Sequence, residues 1–181
     1  VTDAELVALA HSGDSDALGQ LVTRHQAAAY RAALAALRNP HDAEDVTQDA
    51  FVRAWRALPG YRGEAAFRTW QLTIVWKRAL TRRRCLARWW QRSAPLVEAQ
   101  SIAGADAAVP NRELHRETVA AIQALSPSLR DTLLLAQSGE YDYQAIAAML
   151  KVPVGTIKWR VAEARKKVRQ RLARLGYVDV G

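Results

Sequence analysis

The residues with the plainest chemical meaning are the cations that follow Ile157. Lys158, Arg160, Arg165, Lys166, Lys167, Arg169, Arg171 and Arg174 stand against a single acid, Glu163, and phosphate is the counterpart such a row selects. Among them Ile157, Val161, Ala164, Val168, Leu172 and Leu175 recur three or four residues apart, which is the spacing of one apolar helix face. Trp159 falls roughly 200° around that helix from Ile157, away from the apolar row, at about 100° per residue. An indole on that side asks for a partner, which a merely solvated basic face would not supply.

A second set joins rings to cations: Phe67, Arg68, Thr69 and Trp70, then Ile74, Val75, Trp76, Lys77 and Arg78, then Arg82, Arg83 and Arg84, and finally Arg88, Trp89 and Trp90. Aromatics interleaved with guanidinium groups suit single-stranded nucleic acid, because bases stack on rings at about 1 to 3 kcal/mol each while phosphates meet the cations. Phe67, Trp70 and Ile74 sit at helical spacing and read as core, whereas Trp76, Trp89 and Trp90 cannot all share that face. A third set is acidic and runs from Asp42 to Phe51. Carboxylates near a helix N-terminus are favoured by the helix dipole. Beyond that, Asp45, Gln48 and Asp49 share a face opposite the Val46, Ala50 and Trp55 side, a polar patch that fits a protein partner. A carboxylate metal cluster is the competing reading, but no histidine shares that face and His41 precedes the helix, so no metal is expected.

Catalysis finds no support. His11, His25, His41 and His115 are scattered, no Ser-His-acid spacing appears, and Gly60 and Gly63 make a turn rather than a nucleotide cradle. The lone Cys85 lies among arginines that favour thiolate, yet a lone cysteine is usually incidental. Neither an enzyme nor a cofactor is expected.

The elements that must position these groups read as helices almost throughout. Thr2 to Glu5 form a capping box, and Asp14 or Ser15 starts a helix that reaches Arg38, where Asn39-Pro40 stops it. Asp42 to Leu58 forms the next, ended by Pro59-Gly60, and Phe67 to about Trp90 another. From Ser93 to Asn111 small residues with Pro95, Gly104 and Pro110 read as a flexible linker. Leu114, Val119, Ile122 and Leu125 then mark a helix, and Ser126-Pro127 starts one that Gly139 ends. Asp142 caps a short helix holding Ile146, Ala147 and Leu150, and Lys151-Val152 turns the chain into the basic helix. That helix should run from about Pro153 to Gly176. Two short helices around a tight turn make a helix-turn-helix. The expected fold is all-α, two small helical domains on one tether.

Charge divides the chain in the same way. The 181 residues carry a formal charge of +8, which favours a polyanionic partner. Residues 1–60 hold eight acids against five bases, while 65–97 hold eight bases and no acid, so polyanion contact belongs to the later segments. One cysteine permits no internal disulfide, and no apolar run approaches a membrane span, which points to a cytoplasmic protein without membrane insertion.

Taken in order, the three sets resemble the extracytoplasmic function (ECF) group of bacterial sigma factors, the promoter-recognition subunits of RNA polymerase. The resemblance covers nearly the whole chain and implies sigma region 2 over 1–92, a linker over 93–111 and sigma region 4 over 112–181. It implies that Asp45, Gln48, Asp49 and Arg53 dock on core RNA polymerase, whose largest and second-largest subunits are the expected partners. Arg68, Trp70, Trp76, Lys77, Arg78, Arg82 and Arg83 would engage and open the minus-ten DNA. Thr156, Lys158, Trp159, Arg160, Glu163, Arg165 and Lys166 would read the minus-thirty-five element of promoter DNA. It further implies an anti-sigma factor as partner. The chain departs from the family where an asparagine is common at Lys77, an aspartate at Thr81, a small serine at Trp159 and a basic residue at Glu163. The alternative is a stand-alone helix-turn-helix transcription regulator, which leaves the acidic patch and the Trp-Lys-Arg helix unexplained.

Overall fold

The computed structural model describes residues 1–93 and 112–177, without the side chains of 88–93, and the elements it describes are helical. The expected linker, from residue 94 to 111, lies outside the described residues, as do the side chains of Arg88, Trp89 and Trp90. The chain divides into two compact units, Val1–Ala105 and Asp106–Gly181.

In the first unit, helix α1 (Asp3–His11) starts at a reciprocal cap: the Glu5 N–H donates to Thr2 Oγ1 and the Thr2 N–H donates to the Glu5 carboxylate. Helix α2 (Ser15–Leu37) starts where Asp14 accepts from the N–H groups of Asp16 and Ala17. Helix α3 (Pro40–Ala57) is capped by the Asn39 side chain, with Pro40 in the first turn where no N–H is needed. It therefore begins two residues before Asp42, and His41 belongs to its first turn rather than preceding it. A 3-10 turn (Leu58–Gly60) ends it, and α4 (Phe67–Ser93) follows.

α2 packs against α3 and α4, which also pack on each other. The buried rows are Ala28, Ala29, Ala32, Ala33 and Ala36 of α2, Ala43, Val46, Ala50 and Ala54 of α3, and Leu72, Val75, Trp76 and Ala79 of α4. Rows of methyl groups let helix axes approach closely, and a core packed at crystal-like density then needs a large side chain to fill what remains. Trp76, 2% exposed, supplies it. This overturns the expectation that Trp76 offers its indole to DNA. Residues 72, 75, 76 and 79 recur at helical spacing, and α4 contacts α1, α2 and α3, so its buried arc is wide enough to include the ring. A second cluster joins Leu6, Val7 and Ala10 of α1 to Ala17, Leu21, Leu58 and Phe67, with Tyr61 and Trp70 leaning on it.

The second unit holds α5 (Arg112–Gln123), α6 (Pro127–Gln137), α7 (Tyr143–Leu150) and α8 (Val154–Arg174). α8 lies against the other three. Leu125, Leu129, Leu133 and Ala164 form its core with Ile122 and Val168 alongside. Asp142 Oδ1 accepts from the Ala145 N–H at 2.6 Å to start α7. Lys151, at φ 54°, ends it in the left-handed region and turns the chain toward α8. Pro153 immediately precedes α8 instead of occupying its first position. At the far end Gly176 takes φ 84° and the Tyr177 N–H returns to the Leu172 carbonyl at 3.1 Å, a closure that glycine makes without strain. Ile157, Val161 and Ala164 are buried as their spacing predicts, but Leu175 is 50% exposed. The 21 residues of α8 span about 31 Å, and α5, α6 and α7 have only 12, 11 and 8 residues with which to cover it.

Candidate nucleic-acid and protein interfaces

α3 buries Ala43, Val46, Thr47, Ala50 and Ala54 on one line and turns Asp45 and Gln48 outward. The Asp49 carboxylate is half-exposed and accepts from Arg53 Nε at 2.9 Å and from Arg78 Nε of α4. The hydrogen bond from Arg53, then that from Arg78 with the charges of both, hold the Asp49 carboxyl below the ordinary carboxylate range against the opposing effect of burial. A lowered folded-state value means the contribution to stability is complete above the unfolded-state value and is lost as pH falls through the lowered one. Acid titration of thermal stability should therefore show the first unit weakening below the carboxylate range. Asp49→Asn should lower stability at neutral pH and flatten that part of the profile; the effect is small because the pair is partly solvated.

The expected apolar side of α3 needs one correction. Trp55 is 41% exposed and Ala54 takes the buried place beside Ala50, because four residues from Ala50 continue its line and five do not. Gln48, Val52 and Trp55 instead follow at four and three residues along the outer face, so the polar patch passes into an apolar one. The type of residue argues for burial of Trp55; only the phase, read from Ala43, Val46 and Ala50, points the other way. An open cleft lined by Ala10, His11, Trp55, Arg56, Leu58 and Pro59 adjoins it.

On α4, Lys77, Thr81 and Arg84 are exposed on the side away from Val75 and Ala79. Two of the cations expected to meet DNA are held by α3: Arg78 by Asp49, and Arg82 by Asp42, whose Oδ1 receives Nε at 2.8 Å and Nη2 at 2.6 Å. The structure thus ties the acidic helix to the basic one through residues that the sequence assigns to different partners. Arg68 is exposed and Arg83 half-buried. Trp70 keeps part of its ring at the surface and packs the rest against Tyr61 and Phe67, with centroids 4.9 and 5.7 Å away. Only Trp70, of the rings named for the minus-ten surface, retains a described exposed edge.

On α8, Trp159 is 61% exposed. Thr156 and Arg160 are half-buried, while Lys158, Arg165 and Lys166 are exposed. Glu163 approaches Lys167 at 3.9 Å across one turn. Among the described residues no group of three His, Cys, Asp or Glu is placed to hold a metal, and no helix is long and apolar enough to cross a membrane.

Residues 21–89 match the sigma-70 region 2 family and residues 115–168 match sigma-70 region 4. The chain is similar to the ECF RNA polymerase sigma factor SigM of Mycobacterium tuberculosis, 36% identical over 99% of this chain and 88% of the relative. It is also similar to the ECF RNA polymerase sigma-E factor of Escherichia coli, 30% identical over 93% of each chain. The RNA polymerase sigma-H factor of Pseudomonas aeruginosa is 30% identical over 92% of this chain and 91% of that one. Among solved structures, CnrH in complex with the cytosolic domain of CnrY superposes with a TM-score of 0.67 at 28% identity, covering 95% and 97% of the two chains. The sigma factor RpoE of Bartonella quintana, in complex with the anti-sigma factor NepR, has the same fold, with a TM-score of 0.63 at 23% identity over 86% and 96%.

Proposed function

This chain belongs to the ECF group of the sigma-70 family, a sigma factor for transcription initiation, and from that premise we propose how its surfaces divide the work. Region 2 spans 1–92, region 4 spans 112–181, and 93–111 links them. Asp45 and Gln48, with the Asp49–Arg53 pair beside them, attach the factor to core RNA polymerase through its largest subunit. Arg68, Lys77, Arg78, Arg82, Arg83 and the exposed edge of Trp70 hold the non-template strand of the minus-ten element. Thr156, Lys158, Trp159, Arg160, Glu163, Arg165 and Lys166 grip the minus-thirty-five duplex.

The mechanism is binding, with no covalent step asked of the chain. Extruding a base costs a few kcal/mol, least where the strand is already open, and contacts to phosphates and to one stacked ring offset it. With Trp76 in the core, the cations carry more of this and stacking less. The side chains of the cations that α3 holds remain part-exposed, so a phosphate can share them.

The observation that carries the reading is the pairing of an outward acidic face on α3 with a cation-bearing α4 in one unit, while the other unit holds the helix-turn-helix. A stand-alone regulator would need only the last. CnrH is bound by the cytosolic domain of a second protein, which supports an anti-sigma factor as a further partner of this chain. The working site is the cytoplasm, where promoter DNA is reached. Gel filtration of the purified chain with core polymerase tests the assignment: co-elution is expected, and separate elution at micromolar concentrations contradicts it.

A further inference from the structure

We propose that Trp159 reads a thymine methyl on the major-groove floor of the minus-thirty-five element, a reading that rests on α8 being the DNA-facing helix. The argument is the cross-section of α8. With Ile157, Val161 and Ala164 buried, the stripe farthest from the core carries Gly155, Trp159, Ala162 and Lys166, all exposed. One turn along the helix the indole's neighbours are Gly155 and Ala162 on its own stripe and Thr156 and Glu163 beside it. Nothing lies within 4 Å of where a side chain on Gly155 would begin. The indole itself is 61% exposed.

Cations flank that stripe on both sides. Lys158, Arg165 and Arg169 run along one flank and Arg160, Lys167 and Arg174 along the other, at about 100° per residue. The Gly155, Trp159 and Ala162 stretch that precedes Lys166 on the stripe is uncharged, and such a stretch between two cation rows matches a major groove, whose walls are phosphate and whose floor is base edges. The N-terminal turns of the second helix of a helix-turn-helix are the part that reaches base edges, and Trp159 lies in them. On that floor the thymine C5-methyl is the apolar group, while guanine, adenine and cytosine offer only polar edges. The indole carries one N–H donor and no acceptor, so it makes no bidentate base pair contact and its selectivity comes from covering that methyl.

The test uses the full chain with core polymerase and promoter duplexes randomised across the minus-thirty-five element. Wild type is expected to enrich thymine at one position, Trp159→Ser to lose that preference alone, and Trp159→Phe to keep it. Replacing that thymine by deoxyuridine removes only the methyl, and should weaken wild-type binding about fourfold, the share of one buried methyl group. Trp159→Ser should not respond to the replacement. Identical preferences in wild type and Trp159→Ser assign the indole to a protein contact and overturn the proposal while the sigma reading stands. Failure of wild type to enrich any sequence there overturns the DNA reading of α8 and the proposal together.

Discussion

Trp76→Ala is expected to lower the stability of the first helical unit by about 3 to 5 kcal/mol, the usual cost of emptying a large aromatic site in a core. The surrounding alanines of α2 and α3 are too short to collapse into the space, which puts the site among the costly ones. Trp76→Phe should cost far less. It gives up part of the ring but also discards an indole N–H that is buried without a partner, and an unpaired buried donor carries a penalty of about 1 to 3 kcal/mol. Chemical denaturation followed by circular dichroism separates the two. If Trp76→Ala unfolds at the wild-type midpoint, the ring does not fill the core. Trp159→Ala, at an exposed site, is the internal control and should stay within about 0.5 kcal/mol.

Asp45→Lys is expected to reduce affinity for core polymerase at least about a hundredfold with no change in the melting of the free chain, because reversed charge at an interface sets like charges together at several kcal/mol. The choice of residue matters. Asp45 is exposed on the outer face of α3, whereas Asp49 is joined to Arg53 and Arg78, so Asp49→Lys would disturb the α3–α4 packing as well as the docking face. A competition assay against the unmodified chain reads the loss directly. Affinity within a factor of about three of wild type would sink the docking assignment, because charge reversal inside a docking face costs more than that.

Much of the molecule was legible where local chemistry decides it. The Thr2/Glu5 cap, the Asp142 cap and the buried run of Ile157, Val161 and Ala164 all follow from spacing within one or two turns, and the family resemblance follows from the order of the acidic, ring-and-cation and basic-helix sets along the chain. What escaped depended on neighbours distant in sequence. α4 carries apolar residues around more than half its circumference and packs against three helices, so its periodicity does not say which rings are inside, and Trp76 lies in the core rather than at the DNA-facing side. The type of Trp55 favours burial, but the phase set by Ala43, Val46 and Ala50 gives the place to Ala54. The Asp49–Arg78 and Asp42–Arg82 pairs bridge 29 and 40 residues, and no local pattern announces them. Leu175 continues the spacing of the buried stripe, but the shorter helices beside α8 leave it exposed.

The central claim is that this chain directs RNA polymerase to promoters through both of its units. Transcription in vitro with core polymerase on a randomised promoter library tests it most directly. The account predicts transcripts only when the chain is present, from templates sharing two sequence elements, with the Asp45→Lys variant silent. Transcripts that appear equally without the chain, or templates that share no element, would contradict it.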